Sequence, residues 1–183
     1  TLDAHKMQGP KGVGALVVRR HVLWEPLMIG GGQERGKRPT TENVLHIAAF
    51  AEALALASDG REERVKNSRL TQEYFFDLIE KELPNAVING SREKRLPNNI
   101  NISLSDLADP ELAVLFLDKN GIACSTKSSC LKGEENSYVV ASISKSDETW
   151  RARNTIRFSL APNAVKRDVL HIVETLKRIP RNA

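Results

Sequence analysis

Two cysteines, Cys124 and Cys130, are all the chain has. That number excludes a disulfide framework. Low cysteine use fits a reducing compartment, so a cytoplasmic protein is expected. The spacing is Cys-x5-Cys with no histidine close by in sequence, which argues against a zinc site, and no metal is expected. Aromatic residues are also scarce, at 5%. The 27 Lys and Arg residues are scattered among 23 Asp and Glu, leaving a net charge of +4. A nucleic-acid surface needs a concentrated basic stripe with interleaved aromatics, so no direct nucleic-acid partner is expected. No apolar run approaches the ~20 residues that span a bilayer. The start, Thr1-Leu2-Asp3-Ala4, does not read as a signal peptide. No membrane association is expected.

What is present is enough apolar content, 40% over 183 residues, for a buried core. The pattern is that of an α/β chain. Val13, Ala15, Leu16, Val17 and Val18 predict a strand over Gly12–Arg20. A loop with three consecutive glycines, Gly30-Gly31-Gly32, runs to Asn43, and Thr40 or Thr41 is placed to cap the next helix. Dense apolar residues and alanines from Val44 to Ala57 predict a buried helix. A second, amphipathic helix is expected from about Glu62 to Leu83, ended by Pro84-Asn85. Beyond it, strands are expected at Ala86–Asn89, Asn99–Leu104, Ile122–Ser125 and Thr155–Leu160. Helices are expected at Pro110–Lys119 (capped by Asp109), around Tyr138–Ile143, and at Val165–Ile179. This β–α–β–α–β–α order predicts an α/β unit of about 120 residues. The first 50 residues hold one strand that lacks partners, which marks them as the tail of a larger domain. The division expected is 1–55 and 56–183.

Four features carry potential chemistry. Lys6 lies between His5 and a glycine-rich turn, Gly9-Pro10-Lys11-Gly12. A lysine on a rigid turn can form a Schiff base with an aldehyde. In the Gly30–Asn43 loop, backbone amides with Arg35, Arg38, Thr40 and Thr41 suit a phosphate, although the order is not that of a P-loop. Cys130 sits in Ser125-Thr126-Lys127-Ser128-Ser129-Cys130-Leu131-Lys132-Gly133, where nearby lysines favour the thiolate. Cys124, in the apolar run Gly121-Ile122-Ala123-Cys124, reads as core packing. Arg157, inside Ile156-Arg157-Phe158-Ser159-Leu160, needs an anionic partner: either a carboxylate ligand or a structural ion pair.

In this order, these pieces resemble the C-terminal half of the pyridoxal-phosphate-dependent cysteine desulfurases, the class-V branch of the fold-type-I enzymes. The resemblance rests on Ala4-His5-Lys6, Gly9-Pro10-Lys11-Gly12-Val13-Gly14, Gly30-Gly31-Gly32-Gln33-Glu34-Arg35-Gly36, Arg95-Leu96-Pro97-Asn98-Asn99-Ile100-Asn101-Ile102-Ser103, the cysteine loop and Ile156-Arg157-Phe158-Ser159-Leu160. It implies the tail of the large cofactor domain at 1–55, with its Schiff-base lysine, followed by the small α/β C-terminal domain. It implies pyridoxal 5'-phosphate as cofactor, held by Lys6 and His5, with Thr41 reaching the phosphate of a neighbouring subunit in a homodimer. Lys6 would also move the substrate's α-proton. Cys130 would take sulfur from L-cysteine as a persulfide, leaving L-alanine, and Arg157 would clamp the substrate carboxylate. Sulfur acceptors would be iron–sulfur scaffold proteins or the tRNA thiolation machinery. Alternatives are a sulfur-relay module that only binds proteins, and a selenocysteine lyase or other class-V relative. The family's ring-stacking histidine and pyridine-pairing aspartate are expected upstream of the lysine. Asp3 stands where the family usually has serine, Arg38-Pro39-Thr40-Thr41 replaces Arg-Ser-Gly-Thr, Lys127 replaces a glycine, and Ala161 replaces another.

Overall fold

The computed structural model describes residues 1–127 and 136–181. The chain divides into two compact units, Thr1–Arg61 and Glu62–Ala183.

In the first unit, β1 (Leu2–Asp3) pairs antiparallel with β2 (Gly14–Ala15), Leu2 opposite Ala15 and Asp3 opposite Gly14. A 3-10 turn over Ala4–Met7 fills the space between them. Ala4 is fully buried, its N–H bonds to the Val13 carbonyl at 3.2 Å, and its own carbonyl accepts from Gly9 N–H at 2.8 Å. The strand expected over Gly12–Arg20 is therefore two residues long, and Leu16 and Val17 are exposed. A strand needs a ladder partner, and the two residues of β1 supply only two rungs.

A four-residue helical turn, α1 (Gln33–Gly36), follows, and then α2 (Val44–Ser58). Neither Thr40 nor Thr41 caps α2. Asn43 does, its side chain accepting from His46 N–H at 3.3 Å. The expectation of a buried helix also fails: only Phe50 and Ala53 are buried, while Val44, Leu45, Ile47, Leu54 and Leu56 are exposed. A helix apolar on most of its circumference cannot be covered by one neighbour. Within this unit α2 packs on the Ala4–Met7 turn. Gly9 makes that approach possible, because a Cβ there would lie 3.1 Å from the Ala53 Cβ.

The second unit is a three-stranded antiparallel sheet in the order β3 (Ala86–Ile88), β4 (Asn99–Leu104), β5 (Thr155–Ser159). Before it comes α3 (Arg61–Glu82), and between β4 and β5 lie α4 (Pro110–Lys119), α5 (Tyr138–Ile143) and α6 (Trp150–Arg153). The chain closes with α7 (Lys166–Lys177). Strands β3 and β4 follow one another without a helix, as the consecutive strands expected at Ala86–Asn89 and Asn99–Leu104 do. The stretch between them includes Gly90 at φ 78° and Pro97, which favour a loop over a helix.

The strict period of two in Asn99-Ile100-Asn101-Ile102-Ser103-Leu104 decides the layering. Ile100, Ile102 and Leu104 face one side with Ile156 and Phe158 of β5, all buried. Helices α3, α4 and α7 supply the other half of this core through Phe75, Phe76 and Ile79, Ala113 and Leu117, and Val169, Val173 and Leu176. The opposite face is polar. It carries Asn99, Asn101 and Ser103 of β4 against Ser159, Arg157 and Thr155 of β5. Asp109 caps α4 as expected, accepting from Glu111 and Leu112 N–H at 2.8 and 3.3 Å. Ile122–Ser125 does not form the expected strand. After the turn at Gly121, φ 76°, the chain meets the edge of β5 only at Ser125, which exchanges backbone bonds with Arg157 at 2.6 and 3.0 Å.

Candidate active site

Each unit carries one set of candidate side chains. In the first, His5 and Lys6 are neighbours on the 3-10 turn, both exposed. Their backbone is pinned on both sides. The β1–β2 rungs hold one end, and Gln8, in the left-handed region at φ 66°, closes the other. A Cβ on Gly14 would lie 2.5 Å from the Leu2 carbonyl oxygen, so only glycine allows the two strands to approach here. The turn thus presents an amine and an imidazole on a fixed backbone.

In the glycine-rich loop, Glu34, Arg35 and Gly36 adopt φ of 49°, 59° and 75° in succession. Consecutive left-handed residues that are not glycine store strain, a feature that gathers at ligand-holding loops. Lys37 turns back, its Nζ bonding to the Trp24 carbonyl at 2.9 Å and lying 4.8 Å from the centre of the Trp24 ring. Arg38 bonds locally to the Pro39 carbonyl and the Thr40 hydroxyl. Thr41 is exposed. Thr40 has φ 82°, unfavourable for a β-branched residue, at the position where the resembling family has glycine. Thr40→Gly is expected to raise the unfolding free energy by about 1 kcal/mol, strain relief exceeding the added chain entropy. Urea denaturation measures it, and an unchanged or lower midpoint would contradict the strain.

The second set surrounds Arg157 on the polar face of the sheet. A cavity of about 270 Å³ is lined by Arg157, Asn89, Asn99, Asn101, Lys127 and Tyr138 among others, and among the described residues its wall holds two cations and no carboxylate. Lys127 lies 3.9 Å from Glu111. Among the described residues no carboxylate forms an ion pair with Arg157. A structural ion pair, one of its two expected roles, is therefore absent among those residues. Asn101 lies directly across from Arg157 in the β4–β5 register, and Asn89 continues the row, its N–H bonding to the Asn101 carbonyl at 2.9 Å. Asn89, Arg151 and Glu148 escaped the sequence reading. The alternation of Asn99, Asn101 and Ser103 with Ile100, Ile102 and Leu104 was the available signal for the asparagine row.

Cys130 lies outside the described residues. Cys124 is half-buried against the core, and its thiol is pushed up to about 11, by burial first and by the Asp118 charge second. It is thus poorly suited to act as a nucleophile. Among the described residues no group of His, Cys, Asp and Glu could hold a metal ion, and no helix is long and apolar enough to cross a membrane.

The chain is α/β, with a lysine on a pinned turn in one unit and an arginine cavity on a polar sheet face in the other. The Aminotransferase class-V family matches residues 1–172, and the chain belongs to that family. Its members depend on pyridoxal phosphate. The cysteine desulfurase IscS of Clostridium botulinum strain Hall is 39% identical over 182 residues, covering 98% of this chain and 45% of that protein. IscS of Dictyoglomus turgidum is 37% identical over 180 residues, with the same coverage. Among solved structures, a NifS-like protein from Rickettsia africae superposes with a TM-score of 0.77 at 30% identity, covering 95% of this chain and 45% of that one. SspA in complex with cysteine gives 0.58 at 28% identity, covering 88% and 43%. The chain spans about 45% of the length of the curated relatives it matches.

Proposed function

We propose that the intact gene product is a cysteine desulfurase. It takes sulfur from L-cysteine, releases L-alanine and hands the sulfur from Cys130 to an acceptor, an iron–sulfur scaffold protein or the tRNA thiolation machinery. The observation that carries the reading is the cavity around Arg157, whose wall holds no carboxylate among the described residues, in a chain 37–39% identical to two cysteine desulfurases. A guanidinium in such a wall suits an amino acid's carboxylate in bidentate fashion.

The residues present fit pyridoxal 5'-phosphate. Lys6 offers an exposed primary amine to an aldehyde, and His5 beside it offers a ring nitrogen to a phosphate, both on the pinned turn. When bound, the cofactor supplies an electron sink for the substrate's α-carbon. Lys6 then holds and returns the α-proton. Arg157 fixes the carboxylate, which orients the substrate. The Cys130 thiolate attacks the substrate sulfur: an S–S bond forms, the Cβ–S bond breaks, and its electron pair stays with carbon, which takes a proton to become the methyl group of alanine. Residues 1–55 serve in this reading as the tail of the large cofactor domain and 56–183 as the small domain. Thr41 reaches the cofactor phosphate of the second subunit in a homodimer. Low cysteine content supports a cytoplasmic setting.

The test is alanine formation from L-cysteine by the intact gene product. Cys130→Ala is expected to lower the rate about a hundredfold, since Cys124, the other thiol of these 183 residues, is half-buried and its thiol is pushed up. Cys124→Ala should leave the rate unchanged, because at pH 7.5 only on the order of one Cys124 in a few thousand is thiolate. A Cys130→Ala protein that desulfurates cysteine at the original rate would overturn the persulfide role.

A further inference from the structure

We propose that Asn101 is a second ligand of the carboxylate that Arg157 takes, and that Asn89 and Arg151 are positioning residues that aim it. This rests on the assignment of Arg157 as the carboxylate site.

The argument is one of hydrogen-bond polarity. An arginine side chain can only donate. Arg151 sends Nε and Nη2 to the Asn89 Oδ1 at 3.1 and 2.8 Å. It is itself held by Glu148, through Nη1 at 2.6 Å. The oxygen of the Asn89 amide must therefore face Arg151, and its NH2 must face the other way. There it donates to the Asn101 Oδ1 at 2.6 Å and to the Ser103 hydroxyl at 2.7 Å. Asn89 and Ser103 are both buried, so this orientation is enclosed by protein. Thr155 adds a second donor to the Asn101 Oδ1 at 2.9 Å.

The consequence falls on Asn101. With its oxygen engaged by two donors, its amide cannot flip without setting NH2 against NH2. Its Nδ2 is left as a donor, and among the described residues nothing accepts from it. Asn101 lines the same cavity as Arg157 and is its direct cross-strand neighbour, a relation that brings Cβ atoms within about 5 Å on one face. The cavity thus offers the charged Arg157 donor and, beside it, one neutral donor of fixed direction. That pair suits a planar anion with two oxygens. The backbone of Arg157 is held as well, between Asn101 on one side and Ser125 on the other.

The experiment uses the 183-residue chain with 15N-labelled side chains, titrated with L-alanine, an unreactive carboxylate, and with L-alaninamide, which lacks one. Alanine is expected to shift both the Arg157 guanidinium and the Asn101 NH2 resonances, and alaninamide neither. Asn101→Ala should weaken alanine binding about tenfold or more, the usual effect of losing a hydrogen bond to a charged group. Asn89 keeps Ser103 as an acceptor in that variant, so the amide spectrum of the second unit should otherwise persist. If Arg157 responds and Asn101 does not, or if Asn101→Ala binds alanine as tightly as the unaltered chain, the inference fails and Arg157 stands alone. If Arg157 does not respond either, the carboxylate site itself is refuted.

Discussion

Lys6→Ala is expected to lower alanine release from L-cysteine by the intact gene product at least about a thousandfold, without lowering its stability. Both halves of this expectation follow from where the residue lies. A lysine that joins an aldehyde covalently and then moves a proton does two jobs with one amine, and neither water nor a neighbouring imidazole replaces it. Yet Lys6 is exposed on its turn, and the turn is held by Ala4, Gly9 and Gly14 rather than by the lysine side chain. Removing an exposed side chain changes stability by no more than about 0.5 kcal/mol. The two effects are read separately. Borohydride reduction in the presence of pyridoxal phosphate, followed by peptide mass analysis, should label Lys6 in the unaltered protein and leave the variant unlabelled at that peptide. Denaturation should give superimposable curves. A labelled lysine elsewhere, or a variant within tenfold of the original rate, would remove Lys6 from the chemistry.

Sequence and structure agree most closely where a local signal coincides with a complete environment. Helix α4 begins and ends as read, because Asp109 and Pro110 set its start by local chemistry alone. Strand β4 has the expected bounds, since its alternation matches a sheet with one apolar and one polar face. Two of the failures share one physical cause. The strand expected over Gly12–Arg20 and the buried helix expected over Val44–Ala57 both have apolar residues that this chain's own first unit does not cover. Apolar runs report what a segment needs to bury, and not which segment buries it. The short strand expected at Ile122–Ser125 reached only a bridge, because edge pairing depends on how the preceding turn delivers the chain. For the site, Arg157 was legible as a charge in an apolar strand. The row that orients Asn101 was not. Arg151 is 62 residues from Asn89 in sequence, and its role exists only once α6 is laid against the polar face of the sheet.

Phe75→Ala should destabilise the second unit by about 3–5 kcal/mol, the range for emptying a fully enclosed phenylalanine site. The ring has no exposed surface. It lies against Phe158, centroids 5.7 Å apart and planes tilted by 44°, so the deletion removes an aromatic contact as well as volume. The site does not collapse onto the gap cheaply, since α3 is also anchored by Phe76 and Ile79 and the sheet below by its own ladder. A loss of this size is a large part of the roughly 5–15 kcal/mol that holds most domains folded. Chemical denaturation should show a lower midpoint with an unchanged slope, and a loss below about 1 kcal/mol would show that Phe75 is not a keystone of the core. The variant also separates packing from recognition. Phe158 and Arg157 are adjacent on β5 and face opposite sides. If Arg157 owes its function to the polar row alone, the folded fraction of Phe75→Ala should still bind alanine with near-original affinity. Binding should then fall only as the unfolded fraction grows, whereas Asn101→Ala should lose affinity while remaining folded.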